Sequence, residues 1–197
     1  MAFISNGTTI FDAGAVSSSF KGAMTFISKT TASSDANVGI TSGIDSTYKE
    51  YIFIFKNIHP ANDSVVFQTN FSIDGGSNYN VTKTTTNFEA TMSESGTTGF
   101  KYGTGDDLAQ GTGYQRTGLV GNDNDENVNG FLHLYNPSST TFVKHFVART
   151  HGYYAGSYSW SNFMAGYCNT TSAVNAVNFQ MSSGNIDSGD ILLYGIN

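Results

Sequence analysis

Four histidines are the side chains of this sequence best suited to bind a metal ion or to move protons. They are His59, His133, His145 and His151. On a strand, the ligands of one metal must share a face, but His133 stands between two leucines. No carboxylate or cysteine lies at ligand spacing beside the four. We interpret them as ordinary, partly exposed histidines, and the sequence predicts no metal and no cofactor.

A second group of polar residues forms an acidic segment in which oxygen-bearing side chains alternate. These side chains belong to Asp123, Asp125, Asn127 and Asn129. A calcium-binding EF-hand loop needs glycine at its sixth position and glutamate at its twelfth, where this sequence has Val128 and Leu134. The segment is therefore interpreted as an acidic turn, and a shallow cation site at Asp123 and Asp125 is left open.

The motifs of the common enzymes are missing. Residues 103–105 and 111–113 have the spaced glycines of a phosphate-binding loop, but neither completes G-x-G-x-x-G or leads from a strand into a helix. The nucleophile motif G-x-S-x-G does not occur, and the lone Cys168 is interpreted as a small strand residue. Fifteen acidic residues cannot be paired into a glycosidase site from sequence. The sequence predicts a protein that is not an enzyme, with polysaccharide cleavage as the third-ranked alternative.

One aromatic segment resembles a recognition surface. Tyr153, Tyr154, Tyr158 and Trp160 lie among glycine and serine, where tyrosine and tryptophan offer rigid contact area with polar tips. The functional interpretation is that these rings bind sugars. The structural one, which we favour, is that half of them enter the core or a subunit contact.

Composition excludes several classes of partner. The 197 residues contain 9 Lys plus Arg against 15 Asp plus Glu, a net charge of -6 that disfavours binding to nucleic acid. No apolar stretch approaches the ~20 residues that cross a bilayer, and the first residues lack the pattern of a signal peptide, so we expect no membrane contact. A charged fraction of 12% beside an aromatic fraction of 14% indicates a folded chain with an unusually uncharged surface.

The apolar stretches favour strands over helices. Residues 51–55 form a continuous apolar run that predicts a central strand covered on both faces, whereas residues 65–73 alternate as a half-buried strand does. The glycines at 75 and 76 predict a hairpin from that strand to residues 79–86. A second hairpin is predicted across residues 136–139.

These patterns predict an all-β fold with about ten strands. We expect an antiparallel β-sandwich with jelly-roll-like connections, and a closed barrel is the competing architecture. Residues 1–21 have few apolar positions and predict an irregular N-terminal arm with at most one short strand. Residues 22–197 are predicted to form a single sandwich domain, with a strand at 23–29 that ends in a polar break at 30–37.

Several segments spread over nearly the whole chain resemble structural proteins of tailed bacteriophages, of the marine cyanophage and pelagiphage type. The segments are ITSGIDSTY (40–48), YIFIFKNIHP (51–60), FSIDGG (71–76), DLAQGTG (107–113), LHLYNP (132–137) and SGNIDSGDILLYGI (183–196). The last is the most specific of them. The resemblance implies a β-sandwich virion component that decorates the capsid or belongs to the tail or a fibre, and it carries no catalytic residues.

The resemblance therefore implies a multicopy virion protein, made in the bacterial cytoplasm, whose partners are its own copies and other virion proteins. We expect the arm, residues 1–21, to touch a neighbouring copy or the shell. A surface of low charge keeps electrostatic repulsion between packed copies small, which agrees with that expectation. A receptor-binding module that recognises host-surface glycans through the Tyr153–Trp160 segment is the alternative.

Overall fold

A computed structural model describes residues 3–12, 15–16, 23–154 and 156–197, and every regular element in them is a β-strand. In chain order the strands are β1 (Phe3–Ser5), β2 (Thr8–Asp12), β3 (Ala15–Val16), β4 (Met24–Asp35), β5 (Val38–Ile40), β6 (Glu50–Pro60), β7 (Val65–Ser72), β8 (Lys83–Ser93), β9 (Thr98–Tyr102), β10 (Gln115–Val120), β11 (Val128–Tyr135), β12 (Lys144–Tyr154), β13 (Tyr158–Cys168), β14 (Ala176–Met181) and β15 (Ile186–Ile196). In these residues no helix is long and apolar enough to cross a membrane.

Twelve of the strands form two antiparallel sheets, so the predicted all-β sandwich is confirmed. The larger sheet has the order β4-β15-β6-β11-β12-β13-β8-β9, and the smaller one has the order β10-β7-β14-β5. Within the described chain, β4 and β9 each pair with one neighbour, so the large sheet is open at both edges and is not a closed barrel. The jelly-roll-like pattern of connections stays a prediction.

Aromatic side chains join the two sheets. Phe53 and Phe55 project from β6 of the large sheet towards Phe67 of β7 and Phe179 of β14 in the small one, and their ring centroids lie 5.1–5.8 Å apart. All four rings are almost completely buried. Burying one such side chain stabilises the fold by ~1.5–3 kcal/mol, so these four residues anchor the core.

The hairpin predicted between β7 and residues 79–86 is wrong, although its turn is present. Gly75 and Gly76 have the expected positive φ angles of 73° and 91°. However, β7 pairs with β10 and β14 in the small sheet, whereas β8 pairs with β13 and β9 in the large one. The turn therefore serves a crossover between sheets. The predicted second hairpin is present, because β11 and β12 pair antiparallel.

Two further predictions near the N-terminus differ from the structure. Instead of breaking at residue 30, β4 continues to Asp35, because pairing with β15 satisfies its backbone and its polar side chains face solvent on an edge strand. The N-terminal arm contains the three strands β1, β2 and β3, where at most one was predicted. They pair antiparallel with one another in a sheet separate from the other two.

Candidate functional site

The outer side of the eight-stranded sheet, which we call the open face, is the most unusual surface of the molecule. Cross-strand register aligns its side chains in rows that run across the sheet. The middle row is Phe26, Tyr194, Ile52, His133, Val147, Ala165 and Thr86. One flanking row is Lys29, Leu192, Ile54, Phe131, Arg149, Phe163, Phe88 and Tyr102. The other contains Met24, Ile196, Glu50 and Tyr135, then His145, Tyr167 and Thr84.

The open face is apolar because its strands carry large side chains on both sides. In β6, Tyr51, Phe53 and Phe55 fill the core, and the intervening Ile52 and Ile54 face outward. The sequence predicted that this strand is covered on both faces. In the described residues it is covered on one only, since Ile52 and Ile54 remain partly exposed.

Aromatic rings cluster towards the β9 edge of the open face. The rings of Phe88 and Phe163 stack with centroids 4.8 Å apart, and Phe100 lies 5.8 Å from Phe88. The guanidinium of Arg149 lies 4.7 Å from the centroid of Phe163, a cation–π contact. A groove of about 350 Å³ is lined by Phe88, Phe131, Arg149 and Phe163. This cluster is preformed, with its rings already oriented.

The rest of the open face also presents large apolar groups to solvent. At the β4 edge, Phe26 packs edge-on against Tyr194 at 5.5 Å and is 55% exposed. Val147, at the centre, is 40% exposed. His133 contacts the carboxylate of Glu50, and its ring lies 5.0 Å from Phe131. Soluble monomers rarely expose apolar side chains over most of the strands of one sheet, and those that do commonly use that surface to bind a partner.

The four aromatic residues predicted as a recognition surface are only partly brought together. Tyr154 and Tyr158 pack edge-on against Trp160, with centroid distances of 5.4 and 6.4 Å. Tyr153 alternates with Tyr154 along β12 and therefore points to the opposite side of the sheet, where its hydroxyl donates to Glu94 at 3.3 Å. All four side chains are half-buried.

Trp160 lies beside a buried ion-pair cluster. The cationic groups of Lys101 and Arg116 lie 5.6 and 6.0 Å from its ring centroid. Both cations pair with the fully buried Glu89, at 2.7 Å for Arg116 Nη2 and 3.2 Å for Lys101 Nζ. Arg116 also bonds Asp106 at 3.1 Å. The carboxylate oxygens of Glu89 accept no well-aligned hydrogen bond within the described part of the chain, so its contacts are coulombic.

Sequence reasoning missed the Glu89 cluster because its members lie on separate strands. Glu89 belongs to β8, Lys101 to β9 and Arg116 to β10. Only the alternation of β8, which places Glu89 on the same side as the buried Lys83 and Thr85, could have indicated its burial. A sheet face that buries several polar residues requires partners from elsewhere in the fold.

The histidines and the acidic segment do not form a metal centre in the described residues, where no group of three or more histidine, cysteine or acidic side chains could hold an ion. The backbone N–H of Asp123 donates to Glu126 Oε2 at 3.0 Å, which closes the turn. Burial, reinforced by nearby Asp123, Asp63 and Asp125, raises the pKa of the Glu126 carboxyl. His59 contacts the carbonyl oxygen of Asp123 at 3.3 Å. This geometry agrees with the acidic turn that the sequence indicates.

Cys168 lies in a buried row between two lysines. Cross-strand pairing aligns Lys144, Cys168 and Lys83, and all three side chains are inaccessible to solvent. Burial raises the pKa of the Cys168 thiol to about 12, so it is not a nucleophile near neutral pH. Lys83 Nζ donates to Asn70 Oδ1 at 2.6 Å, and burial lowers the pKa of its ammonium to about 8.

Two comparisons with known proteins give no match to this chain. No protein-family model matches the chain, and no curated protein matches it. The open face and the ring cluster of Tyr154, Tyr158 and Trp160 are therefore the two features on which a function can be based.

Proposed function

We propose that this protein is a non-enzymatic structural protein of a tailed-phage particle, located on the exterior as a capsid decoration or as a tail or fibre component. It acts through protein–protein assembly. The observation that carries the assembly role is the open face, whose three rows, one of which crosses all eight strands, present aromatic and aliphatic side chains to solvent. The assignment to a phage particle rests on the resemblance of the six sequence segments named above.

Assembly explains the open face because exposed apolar side chains are costly until a partner covers them. Burial stabilises a contact by roughly 25 cal/mol for each Å² of apolar surface removed from water. Phe26, Phe88 and Val147 are each at least 38% exposed on this face, so covering them with a partner would remove further apolar surface from water. With 12% charged residues, close copies also repel one another weakly.

Recognition of host-surface glycans is the second candidate function. It is favoured by the half-exposed ring cluster of Tyr154, Tyr158 and Trp160, since sugars stack on such rings. Against it, the Trp160 ring already has two cations and two aromatic neighbours around it. A glycan array with the full chain tests this function, and specific binding that is lost in Trp160→Ala would favour it over assembly.

A direct test of the proposed function is to purify the particles of a phage that encodes this chain and to determine a map of them. We expect the chain at a repeated exterior position, in contact with other virion proteins through apolar surface. Absence of the chain from purified particles would contradict the proposal. Depolymerisation of host envelope polysaccharide by the purified protein would instead establish an enzyme.

A further inference from the structure

We propose that the partner of the open face is a second copy of this chain, packed sheet against sheet about a two-fold axis that runs along the middle row. The inference rests on the proposed assembly function and adds to it the identity and orientation of one partner. In such a pair, each row on one copy faces a row on the other.

The size of the open face matches what a stable dimer needs. Eight strands at a spacing of ~4.8 Å make it about 35 Å wide, and three rows of side chains make it roughly 20 Å deep. The resulting area is on the order of 700 Å². A standard protein interface buries about 800 Å² on each partner, so the whole face, with its polar positions included, is close to the size of one.

The shape of the open face favours another sheet as its occupant. Its rows are continuous over the strands, and the described residues form three open grooves of similar volume on it, about 290, 330 and 350 Å³. Sheets that pack face to face lie ~10 Å apart and interdigitate side chains from flat faces of this kind. Only two cations, Lys29 and Arg149, lie in the three rows, too few for a nucleic-acid backbone.

The charges of the open face select the orientation of the axis. Lys29 and Arg149 lie in one flanking row, and Glu50 lies in the other. An axis along the middle row exchanges the flanking rows, so each Glu50 lies between the Lys29 and Arg149 of the other copy, about two strand spacings or ~10 Å from each. An axis parallel to the strands would instead bring the two Arg149 side chains together, and like charges at an interface cost free energy.

The first test compares two charge insertions at valine and isoleucine positions of nearly equal exposure. Val147, at the centre of the open face, is 40% exposed, and Ile73, in the turn after β7, is 43% exposed. We expect sedimentation or light scattering to find a dimer for the full chain and for Ile73→Glu. Val147→Glu should weaken the dimer at least roughly a hundredfold, because it buries two like charges near the axis.

A second variant and a cross-link make the test independent of the folding of Val147→Glu. Phe26→Glu changes the same row at the β4 edge and should also weaken the dimer. In Val147→Cys, the two backbones face each other ~10 Å apart across the axis, which brings the introduced thiols within reach of a short bismaleimide, whereas those of Ser161→Cys are much farther apart. The buried Cys168 does not compete for the reagent. We expect a cross-linked dimer from Val147→Cys and not from Ser161→Cys.

The outcomes separate this inference from the proposed function. A full chain that stays monomeric, or a dimer that survives Val147→Glu and Phe26→Glu as it survives Ile73→Glu, overturns the second-copy inference, and the chain can still be a virion protein. Cross-linking of Ser161→Cys but not Val147→Cys overturns the orientation. A dimer that dissociates as expected, in a protein absent from phage particles, supports the inference and contradicts the proposed function.

Discussion

Buried charges make individual residues of this sandwich unequal in their contribution to stability. Glu89 is fully buried between Arg116, which is 13% exposed, and Lys101, which is 61% exposed. Removing the buried partner of a buried carboxylate leaves its charge uncompensated and costs ~3–5 kcal/mol. A cation that reaches in from solvent contributes ~0–1 kcal/mol.

We therefore expect Arg116→Met to lower the free energy of unfolding by ~3–5 kcal/mol and Lys101→Met by at most ~1 kcal/mol. Urea denaturation of the two variants beside the unchanged protein measures both values. Both substitutions remove one cation that pairs with the same carboxylate. The comparison therefore tests whether the burial of the cation causes the larger loss of stability. Equal losses in the two variants would show that burial does not decide the contribution.

The buried ammonium of Lys83 should make stability depend on pH in the alkaline range. Its pKa is about 8 in the folded protein and ~10.4 in an unfolded chain. Below about pH 8 both states are protonated, and the folded state carries the full cost of the buried charge. Between these two pKa values the unfolded state binds more protons, so stability contributed by this group rises with pH.

The measurement compares the free energies of unfolding of the unchanged protein and of Lys83→Met at about pH 7 and about pH 9.5. We expect the unchanged protein to gain stability relative to the variant as the pH rises. The comparison with the variant is needed because burial raises the pKa of Cys168 to about 12, which makes stability fall over the upper part of the same range. If the difference in free energy of unfolding between the two proteins did not change with pH, the lowered pKa assigned to Lys83 would be contradicted.

At the scale of elements, a β-bulge in β15 depends on one glycine. The pairing of β15 with β6 shifts register around Ser188, and Gly189 has a φ of +124° there. A Cβ at this position would lie 2.6 Å from the carbonyl oxygen of Asn57 and 2.8 Å from the Cα of Ile58. The physical role of Gly189 is to permit this bulge.

We expect Gly189→Ala to destabilise the protein by more than ~1 kcal/mol, because strain and backbone overlap both oppose it. Gly113→Ala is the matched control, since a Cβ at Gly113 would have no atom within 4 Å and its φ is not in the left-handed region. Thermal unfolding compares the two. Gly113→Ala should leave the midpoint nearly unchanged, and a similar shift in both variants would contradict the steric explanation.

Individual elements differ in how far they could be predicted. In β12 buried and exposed residues alternate from Lys144 to Gly152, and its hairpin with β11 was predicted correctly because consecutive strands commonly pair. The turn at Gly75 and Gly76 has the local conformation predicted, but β8 joins the other sheet. Turn residues determine local φ angles, whereas the pairing partner is decided by which distant strands the core brings close.

At the scale of the whole molecule, the arm is separable from the two large sheets. In the described residues, β1, β2 and β3 pair only with each other. Among the described residues, deleting residues 2–20 therefore removes no ladder hydrogen bond of the two large sheets. We expect the shortened protein to keep its unfolding midpoint within a few degrees and to lose incorporation into phage particles, as judged by particle occupancy.

The control for the arm deletion is the Val147→Glu variant, which changes the open face and keeps the arm. If the arm mediates contact with a neighbour or with the shell, the deletion should leave the dimer intact while occupancy falls. Unchanged occupancy after the deletion would contradict the role of the arm. Loss of folding would show instead that the arm belongs to the domain.

The sequence by itself determined the class of this fold, because a period of two in apolar residues and a scarcity of helix formers are local properties. It also indicated that β6 is apolar on both sides. Only the tertiary structure decided which side is covered within the chain and which remains open, and only it brought Glu89, Lys101 and Arg116 together from three strands. Burial and ion pairing depend on distances between residues far apart in sequence, and no local pattern records those distances.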